Sequence, residues 1–211
     1  MGKIEKNIVL IGGGGHALSL LEIENDKILG YISPISSEIG IPWLGTDDKK
    51  DSLISLGKEF MVSFVYSGLP YMIKRRDIIQ KYELAGASFA KIIANSAIIT
   101  PSSKIGEGSC IMNGSIINRS KLGKHVIINS GAIVEHDCKV GDNTFIGPGA
   151  VIGGFTNIGK DCFIGLGACL KNGITISDGV SVAMGSVVDR NLTEPGIYHG
   201  RPLRLHKMKY S

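Results

Sequence analysis

A histidine between two acids, Glu135-His136-Asp137, is the strongest chemical signal in this sequence of 211 residues. The triplet lies between the apolar residues Val134 and Cys138. An imidazole beside a carboxylate suits a general base, because the acid orients the ring and makes it more basic. We therefore predict that His136 acts as a base; the alternative is an exposed turn of ordinary polar residues.

A second signal is the glycine loop IGGGGHA, which follows a predicted strand and opens a predicted helix. Gly12, Gly14 and Ala17 satisfy the G-x-G-x-x-A pattern, and such glycines let backbone N–H groups approach a phosphate at a helix N-terminus. An NAD site also requires an acid about twenty residues further on, where this chain has Ser33. The loop therefore favours a nucleotide sugar or mononucleotide over NAD, and the alternative is a turn that binds nothing.

The metal-binding residue types are too scattered to predict a metal site. His125 and His136 are eleven residues apart, and the four cysteines contain no C-x-x-C pair. Cys138 and Cys162 fall in a row of small residues described below, so we interpret them as part of the core. We expect no bound metal.

The elements that must position His136 are indicated by an aliphatic residue at every sixth position. This spacing fits neither a helix nor an alternating strand, and it is the period of a parallel β-helix built from hexapeptides. The row consists of Leu122, Ile128, Val134, Val140, Ile146, Ile152, Ile158, Ile164, Leu170, Ile176, Val182 and Val188.

A second row, four residues after each aliphatic, holds small or β-branched residues and predicts a second inward position. The Glu135-His136-Asp137 triplet lies outside both rows and should face outward. The spacing begins at Ile99 and slips by one residue between Ile117 and Leu122. With three hexapeptides in each coil, we expect about five coils up to Val188.

Residues 1–90 have a different pattern, in which apolar strands alternate with helix-like segments. This pattern predicts a small parallel Rossmann-like sheet with ligands at the carboxyl ends of its strands. We therefore divide the chain into a nucleotide-sugar-binding α/β domain, residues 1–90, and a left-handed β-helix domain with a C-terminal cap, residues 91–211.

Composition indicates a soluble protein. The chain is 43% hydrophobic with a mean hydropathy of +0.17, and it shows neither a membrane span nor a signal peptide. The net charge of +4 comes with only 6% aromatic residues, which argues against a nucleic-acid surface. We predict a cytoplasmic protein without nucleic-acid binding or membrane insertion.

Four segments together resemble one family, the bacterial hexapeptide-repeat sugar acetyltransferases. This family includes sialic acid O-acetyltransferases and the N-acetyltransferases of UDP-4-amino sugars (bacillosamine pathway) and GDP-perosamine. The resemblance covers nearly the whole chain and is carried by VLIGGGGHA, INSGAIVEHDCKVGD, IGPGAVIGGFTNIGKDCFIGLGACLKNGITI and GIYHGRPLR.

The resemblance implies a homotrimer with acetyl-CoA in the groove between subunits and a nucleotide-linked amino sugar on the N-terminal domain. It implies that His136 is the catalytic base and that Asp137 raises its basicity. The implied sugar-nucleotide contacts are Gly14, Gly15, His16, Ser33 and Gly68. The implied acetyl-CoA contacts are Phe145, Gly154, Leu166 and Met184.

The chain departs from its relatives at two positions. Many relatives have an acid where this chain has Ser33 and Pro34, and relatives often have a second histidine where it has Phe145.

We expect N-acetylation at the C4 amine of a nucleotide-linked 4-amino-4,6-dideoxy sugar, for surface glycan or glycoprotein biosynthesis. One alternative is O-acetylation of sialic acid or another sugar hydroxyl, and another is a non-catalytic β-helix that binds sugars.

Overall fold

The N-terminal half of the molecule is a five-stranded parallel sheet flanked by helices. The computed structural model describes residues 6–65, 68–200 and 204–206. The sheet has the order β3-β2-β1-β4-β5. Its strands are β1 (Ile8–Ile11), β2 (Ile28–Ile32), β3 (Trp43–Gly45), β4 (Glu59–Val62) and β5 (Ser88–Phe89); the helices are α1 (Gly15–Glu24), a 3₁₀ turn (Asp47–Lys49), α2 (Lys50–Ser55) and α3 (Leu69–Leu84).

The βαβ prediction is confirmed, with two differences in detail. The short edge strand β3 was not predicted, because its three residues follow a turn-rich segment and show no alternation. The segment SFAKII forms two strands rather than the one that its apolar residues predict: Ser88–Phe89 pairs with β4, and Ile92–Ile93 pairs with a strand of the β-helix. The chain therefore passes from the sheet to the β-helix within two residues.

Seventeen short strands form the β-helix, and each pairs in parallel with the strand one coil away. The strands are β6 (Ile92–Ile93), β7 (Ile98–Ile99), β8 (Lys104–Ile105), β9 (Cys110–Ile111), β10 (Ile116–Ile117), β11 (Lys121–Leu122), β12 (Ile127–Ile128), β13 (Ile133–Val134), β14 (Lys139–Val140), β15 (Phe145–Ile146), β16 (Val151–Ile152), β17 (Asn157–Ile158), β18 (Phe163–Ile164), β19 (Cys169–Leu170), β20 (Thr175–Ile176), β21 (Val180–Val182) and β22 (Val187–Val188).

These strands form three faces of a triangular prism. The first face contains β6, β9, β12, β15, β18 and β21; the second contains β7, β10, β13, β16, β19 and β22; the third contains β8, β11, β14, β17 and β20. Paired positions such as Ile133 and Val151 are eighteen residues apart, which confirms three hexapeptides in each coil. The offset is seventeen between Lys104 and Lys121, because the chain is one residue short before Leu122.

Both predicted inward rows fill the prism. All twelve aliphatic residues from Leu122 to Val188 are 5% exposed or less, and the second row from Val126 to Ser186 is buried as well. Each buried aliphatic side chain contributes about 1.5–3 kcal/mol, so the stacked rows are the main stabilising core. The row begins one hexapeptide earlier than predicted, at Ile93, which packs against the same cluster as Ile99.

The two halves share a core where the first face of the prism meets the sheet. Phe145 and Cys110 on this face belong to the same buried cluster as Leu20 of α1 and Met72 of α3. The Arg75 side chain, 1% exposed, crosses this junction and donates from Nη1 to the backbone oxygen of His125 over 2.9 Å. These contacts hold the sheet against the β-helix.

The C-terminal segment extends the first face beyond the last coil. Strand β23 (Gly196–His199) pairs in parallel with β21, and β24 (Arg204–His206) pairs antiparallel with β23. Leu192 and Tyr198 from this segment pack in the core of the prism. That the segment caps the β-helix stays a prediction. Among the described residues, the helices are too short and too polar to cross a membrane.

Candidate active site

His136 lies on the corner of the prism where the second face turns into the third. The corner comprises residues 135–138 between β13 and β14. Because Val134 and Cys138 point inward and are buried, the residues between them face outward. The side chain of His136 is 41% exposed, so a rigid coil presents a solvent-accessible imidazole.

Asp137 holds the imidazole in a defined orientation. Its Oδ2 lies 3.1 Å from Nδ1 of His136. The hydrogen bond from His136 and the nearby Arg119 guanidinium hold the pKa of Asp137 below its usual value. Since an ionised carboxylate can only accept, Nδ1 carries the proton and Nε2 keeps a free lone pair. The pair has the arrangement of a base with an orienting acid.

The next coil forms the surface against which the imidazole packs. Nε2 of His136 lies over Gly154, where an added β-carbon would come within 2.8 Å of it. The ring of Phe155 meets the imidazole edge to face, with centroids 4.9 Å apart, and 58% of Phe155 is exposed. The predicted groove residue Gly154 is thus directly at the base, and Phe155 is a neighbour that the sequence did not identify.

Two other predicted groove residues, Leu166 and Met184, lie on a different corner, between the first and second faces. They line an apolar cavity of about 320 Å³ together with Gly68 and Phe163. Leu166 is 53% exposed and Met184 76% exposed, which is unusual for side chains of this size. Gly68, predicted to contact the sugar nucleotide, therefore faces the same cavity as the predicted acetyl-CoA residues.

Phe145 is placed differently from the other predicted groove residues. It is 6% exposed and belongs to the core between the two halves of the molecule. Its ring stacks on Phe163 with centroids 4.9 Å apart, so it supports the cavity wall from behind. The aromatic side chain here packs inward against the sheet domain, and a contact of Phe145 with acetyl-CoA stays a prediction.

The glycine loop joins β1 to α1 and leaves backbone groups accessible. Gly14 precedes α1, Gly15 begins it, and a β-carbon added at either would meet nothing within 4 Å. The His16 imidazole turns inward instead, with Nε2 3.6 Å from Sγ of Cys110. Burial and the positive charge of Arg75 lower the pKa of His16 to about 4, so its ring is neutral. His16 can thus offer its backbone to a phosphate, while its ring packs in the junction.

A second cavity, of about 340 Å³, opens at the carboxyl ends of the N-terminal strands. Ser33 lines it with Gly12, as the strand pattern predicted. Thr46, Asp47 and Phe64 also line it and were not identified from the sequence. Asp47 follows β3, and since that strand was not predicted, its carboxylate could not be placed near Ser33. Asp47 accepts a hydrogen bond from the Tyr82 hydroxyl over 2.6 Å.

The described part of the chain contains no group of three His, Cys, Asp or Glu side chains arranged to hold a metal ion. The four cysteines, all within it, are free thiols, and burial raises the pKa of Cys110 and of Cys162 to about 12. Among the predicted site residues, the His136–Asp137 pair is therefore the candidate for acid–base chemistry on this surface.

Two sequence-family models match the β-helix. "Bacterial transferase hexapeptide (six repeats)" matches residues 119–154, and "Hexapeptide repeat of succinyl-transferase" matches residues 155–190. The first match includes His136, and the second begins one residue after Gly154.

Solved structures match the whole chain. PerB from Caulobacter crescentus, in complex with CoA and GDP-perosamine, is 30% identical, with 95% of this chain and 97% of that chain covered and a TM-score of 0.87. The acetyltransferase domain of PglB from Neisseria gonorrhoeae, in complex with acetyl coenzyme A, is 27% identical, with 96% and 100% covered and a TM-score of 0.87. WeeI from Acinetobacter baumannii shares the fold at 21% identity, with 95% and 99% covered and a TM-score of 0.72.

Proposed function

This chain belongs to the bacterial hexapeptide-repeat sugar acetyltransferases, and we propose that it transfers the acetyl group of acetyl-CoA to the C4 amine of a nucleotide-linked 4-amino-4,6-dideoxy sugar. One observation carries the proposal: an outward-facing His136–Asp137 pair on a chain that matches a GDP-perosamine N-acetyltransferase over 96% of its length. The product would serve surface glycan or glycoprotein biosynthesis.

His136 acts as the general base in this reaction. Its Nε2 takes a proton from the sugar amine as the amine nitrogen attacks the thioester carbon, and Asp137 stabilises the resulting imidazolium. Backbone N–H groups bind the oxyanion of the tetrahedral intermediate. When the C–S bond breaks, the imidazolium returns the proton to the CoA thiolate. The amide is formed, and the base is neutral again.

The N-terminal half binds the nucleotide part of the substrate in this proposal. Gly14 and Gly15 offer N–H groups at the start of α1, where the helix dipole favours a diphosphate. The cavity beside Ser33 is close in sequence and space to this loop and suits the nucleoside. Residues 1–90 thus form the nucleotide-sugar-binding domain in this proposal, and residues 91–211 form the β-helix domain that carries the acetyl-CoA groove.

The positions of the groove residues support a homotrimer with active sites between subunits. Gly154 lies on one corner of the second face and Leu166 on the other, so in one subunit the face itself separates them. Packing one subunit beside another would bring the two kinds of corner together. The second face also exposes an apolar row suited to burial between subunits: Ile98, Ile116, Ile133, Val151, Cys169 and Val187.

A cytoplasmic location is also part of the proposal. Cys138 and Cys162 serve as buried thiols in the core, which fits a reducing compartment.

The test is a thiol-release assay with acetyl-CoA and a panel of UDP-, GDP- and dTDP-linked 4-amino sugars. We expect release with one nucleotide series and a product that carries one acetyl group on nitrogen. Release with sialic acid or a 4-hydroxy sugar instead would identify an O-acetyltransferase. No release with any acceptor, by a folded trimer, would favour a non-catalytic sugar-binding β-helix.

A further inference from the structure

Arg119 occupies a corner of the prism that is one residue shorter than its neighbours. Three residues join β10 to β11, whereas four residues join β13 to β14 on the next coil. Both corners contain a residue in the left-handed region, Arg119 with φ 47° and Asp137 with φ 60°. Arg119 stands two residues before β11 and Asp137 stands two residues before β14, so the two residues have equivalent positions in successive coils.

The backbone of Arg119 is fixed at this position. Its N–H donates to Oγ1 of Thr100 over 2.6 Å, one coil further from the base. Since the residues on both sides of this corner enter paired strands, the side chain leaves the corner in a fixed direction.

The Arg119 guanidinium reaches the carboxylate that orients His136. Its Nη2 lies 3.0 Å from Oδ1 and 3.2 Å from Oδ2 of Asp137, and the same Oδ2 accepts from Nδ1 of His136. Asp137 therefore bridges a guanidinium and an imidazole.

The other charged side chains near this corner are Glu135 and Lys139. Glu135 is held by the N–H of His136 over 3.3 Å and by Nδ2 of Asn118 over 3.4 Å. Lys139, on β14, lies on the outward row of the third face. Phe155, from the coil on the opposite side of His136, contributes an uncharged ring. Arg119 is thus the cation in direct contact with Asp137.

We propose that Arg119 is a positioning residue that holds Asp137 toward His136 and limits how strongly Asp137 raises the basicity of the imidazole. The inference rests on the proposed role of His136 as the base. An ordinary surface ion pair has little effect on either partner. Here the shared carboxylate transmits the effect of the guanidinium to the imidazole, because removing a nearby positive charge favours the protonated ring.

The test compares Arg119→Ala, Arg119→Lys and Lys121→Ala. Lys121 is an exposed lysine two residues along the same coil, so its removal controls for a general loss of positive charge. The first readout is the pKa of the His136 imidazole, titrated by NMR in the free enzyme, which needs no activity. The second is the acidic limb of the pH–rate profile.

In Arg119→Ala we expect the NMR titration of the imidazole and the acidic limb of the pH–rate profile to move to higher pH together, because a nearby positive charge has been removed. We expect the plateau kcat to fall about 3- to 10-fold, because Asp137 is less well held. Arg119→Lys keeps the charge and should keep the limb near its wild-type position with a smaller loss of kcat. Lys121→Ala should match the wild type in both readouts.

An unchanged imidazole pKa in Arg119→Ala, or an equal shift in Lys121→Ala, would overturn the inference. Because 61% of the Arg119 side chain is exposed, we expect the alanine variant to fold. If its melting temperature falls, Arg119→Gln, which keeps more of the side chain, supplies the same comparison. His136→Ala separates the two proposals: full activity in that variant rejects the proposed base, whereas a silent Arg119→Ala with an inactive His136→Ala rejects the role of Arg119 alone.

Discussion

The imidazole of His136 packs directly against Gly154 of the next coil, so closely that a β-carbon on Gly154 would come within 2.8 Å of Nε2. The absence of a side chain at Gly154 therefore allows the imidazole of His136 to pack close to the backbone of the next coil. The adjacent Gly153 is constrained differently, because a β-carbon there would meet the backbone nitrogen of Asn172 at 2.6 Å.

Gly154→Ala should therefore reduce activity without much loss of stability. The imidazole is the end of a side chain and can move by a few tenths of an ångström, but that movement misplaces Nε2. We expect kcat to fall about 10- to 100-fold with an unchanged melting temperature. Gly153→Ala is the matched control: it should lower stability by about 1–3 kcal/mol, because backbone must move. Equal effects of both variants on melting temperature would contradict this view of Gly154.

Asp137→Asn should favour the tautomer of His136 that carries its proton on Nε2 rather than on Nδ1. An amide can donate to Nδ1, which would place the proton on Nε2 and remove the lone pair that the reaction needs. We expect kcat to fall at least about 30-fold and the acidic limb of the pH–rate profile to move to lower pH. A rate close to that of the wild type would show that the carboxylate does not orient the base.

The apolar row on the second face should be the trimer contact. Val151→Glu places a charge in the middle of this row, where burial between subunits would be costly. We expect light scattering after gel filtration to show monomers, together with a loss of activity. Thr175→Glu, at the equivalent outward position of the third face, should stay trimeric and active. A trimeric Val151→Glu variant would exclude this face as the interface.

Acid should destabilise the junction of the two halves through His16. Its pKa is about 4 in the folded protein and 6.5 in the unfolded chain, so below pH 6.5 the unfolded state binds more protons. This contribution to stability is complete above pH 6.5 and is lost as pH falls toward 4, by about 3 kcal/mol in total.

Urea denaturation of the wild type and of His16→Gln between pH 4 and pH 7 measures this contribution. The variant should show a shallower fall in the free energy of unfolding. Burial also lowers the pKa of His125, so part of the slope should remain. Parallel curves for the two proteins would mean that His16 is not buried in its neutral form.

The six-residue spacing predicted the β-helix because its signal is strictly periodic and every member, from Leu122 to Val188, meets the same inward environment. It also separates His136 and Asp137 from the core, so the outward position of the candidate base is predictable from the sequence. Position in a repeat determines whether a side chain points in or out, so this part of the site followed from sequence.

Contacts between coils, and between the two halves of the molecule, could not be predicted from the six-residue spacing. Phe155 meets His136 from nineteen residues away, and Arg119 reaches Asp137 from eighteen residues away on the preceding coil. Phe145 occupies an outward position in the repeat, yet the sheet domain covers it. Position in the repeat determines whether a side chain points into or out of the prism. Tertiary packing determines whether an outward side chain is exposed or is covered by another part of the molecule.

The steady-state kinetics of His136→Ala test whether His136 is the base for acetyl transfer to a nucleotide-linked amino sugar. With the best acceptor from the panel, we predict that kcat falls by at least about 100-fold while the KM for acetyl-CoA stays within about twofold. A His136→Ala enzyme with kcat close to that of the wild type would show that His136 is not the general base.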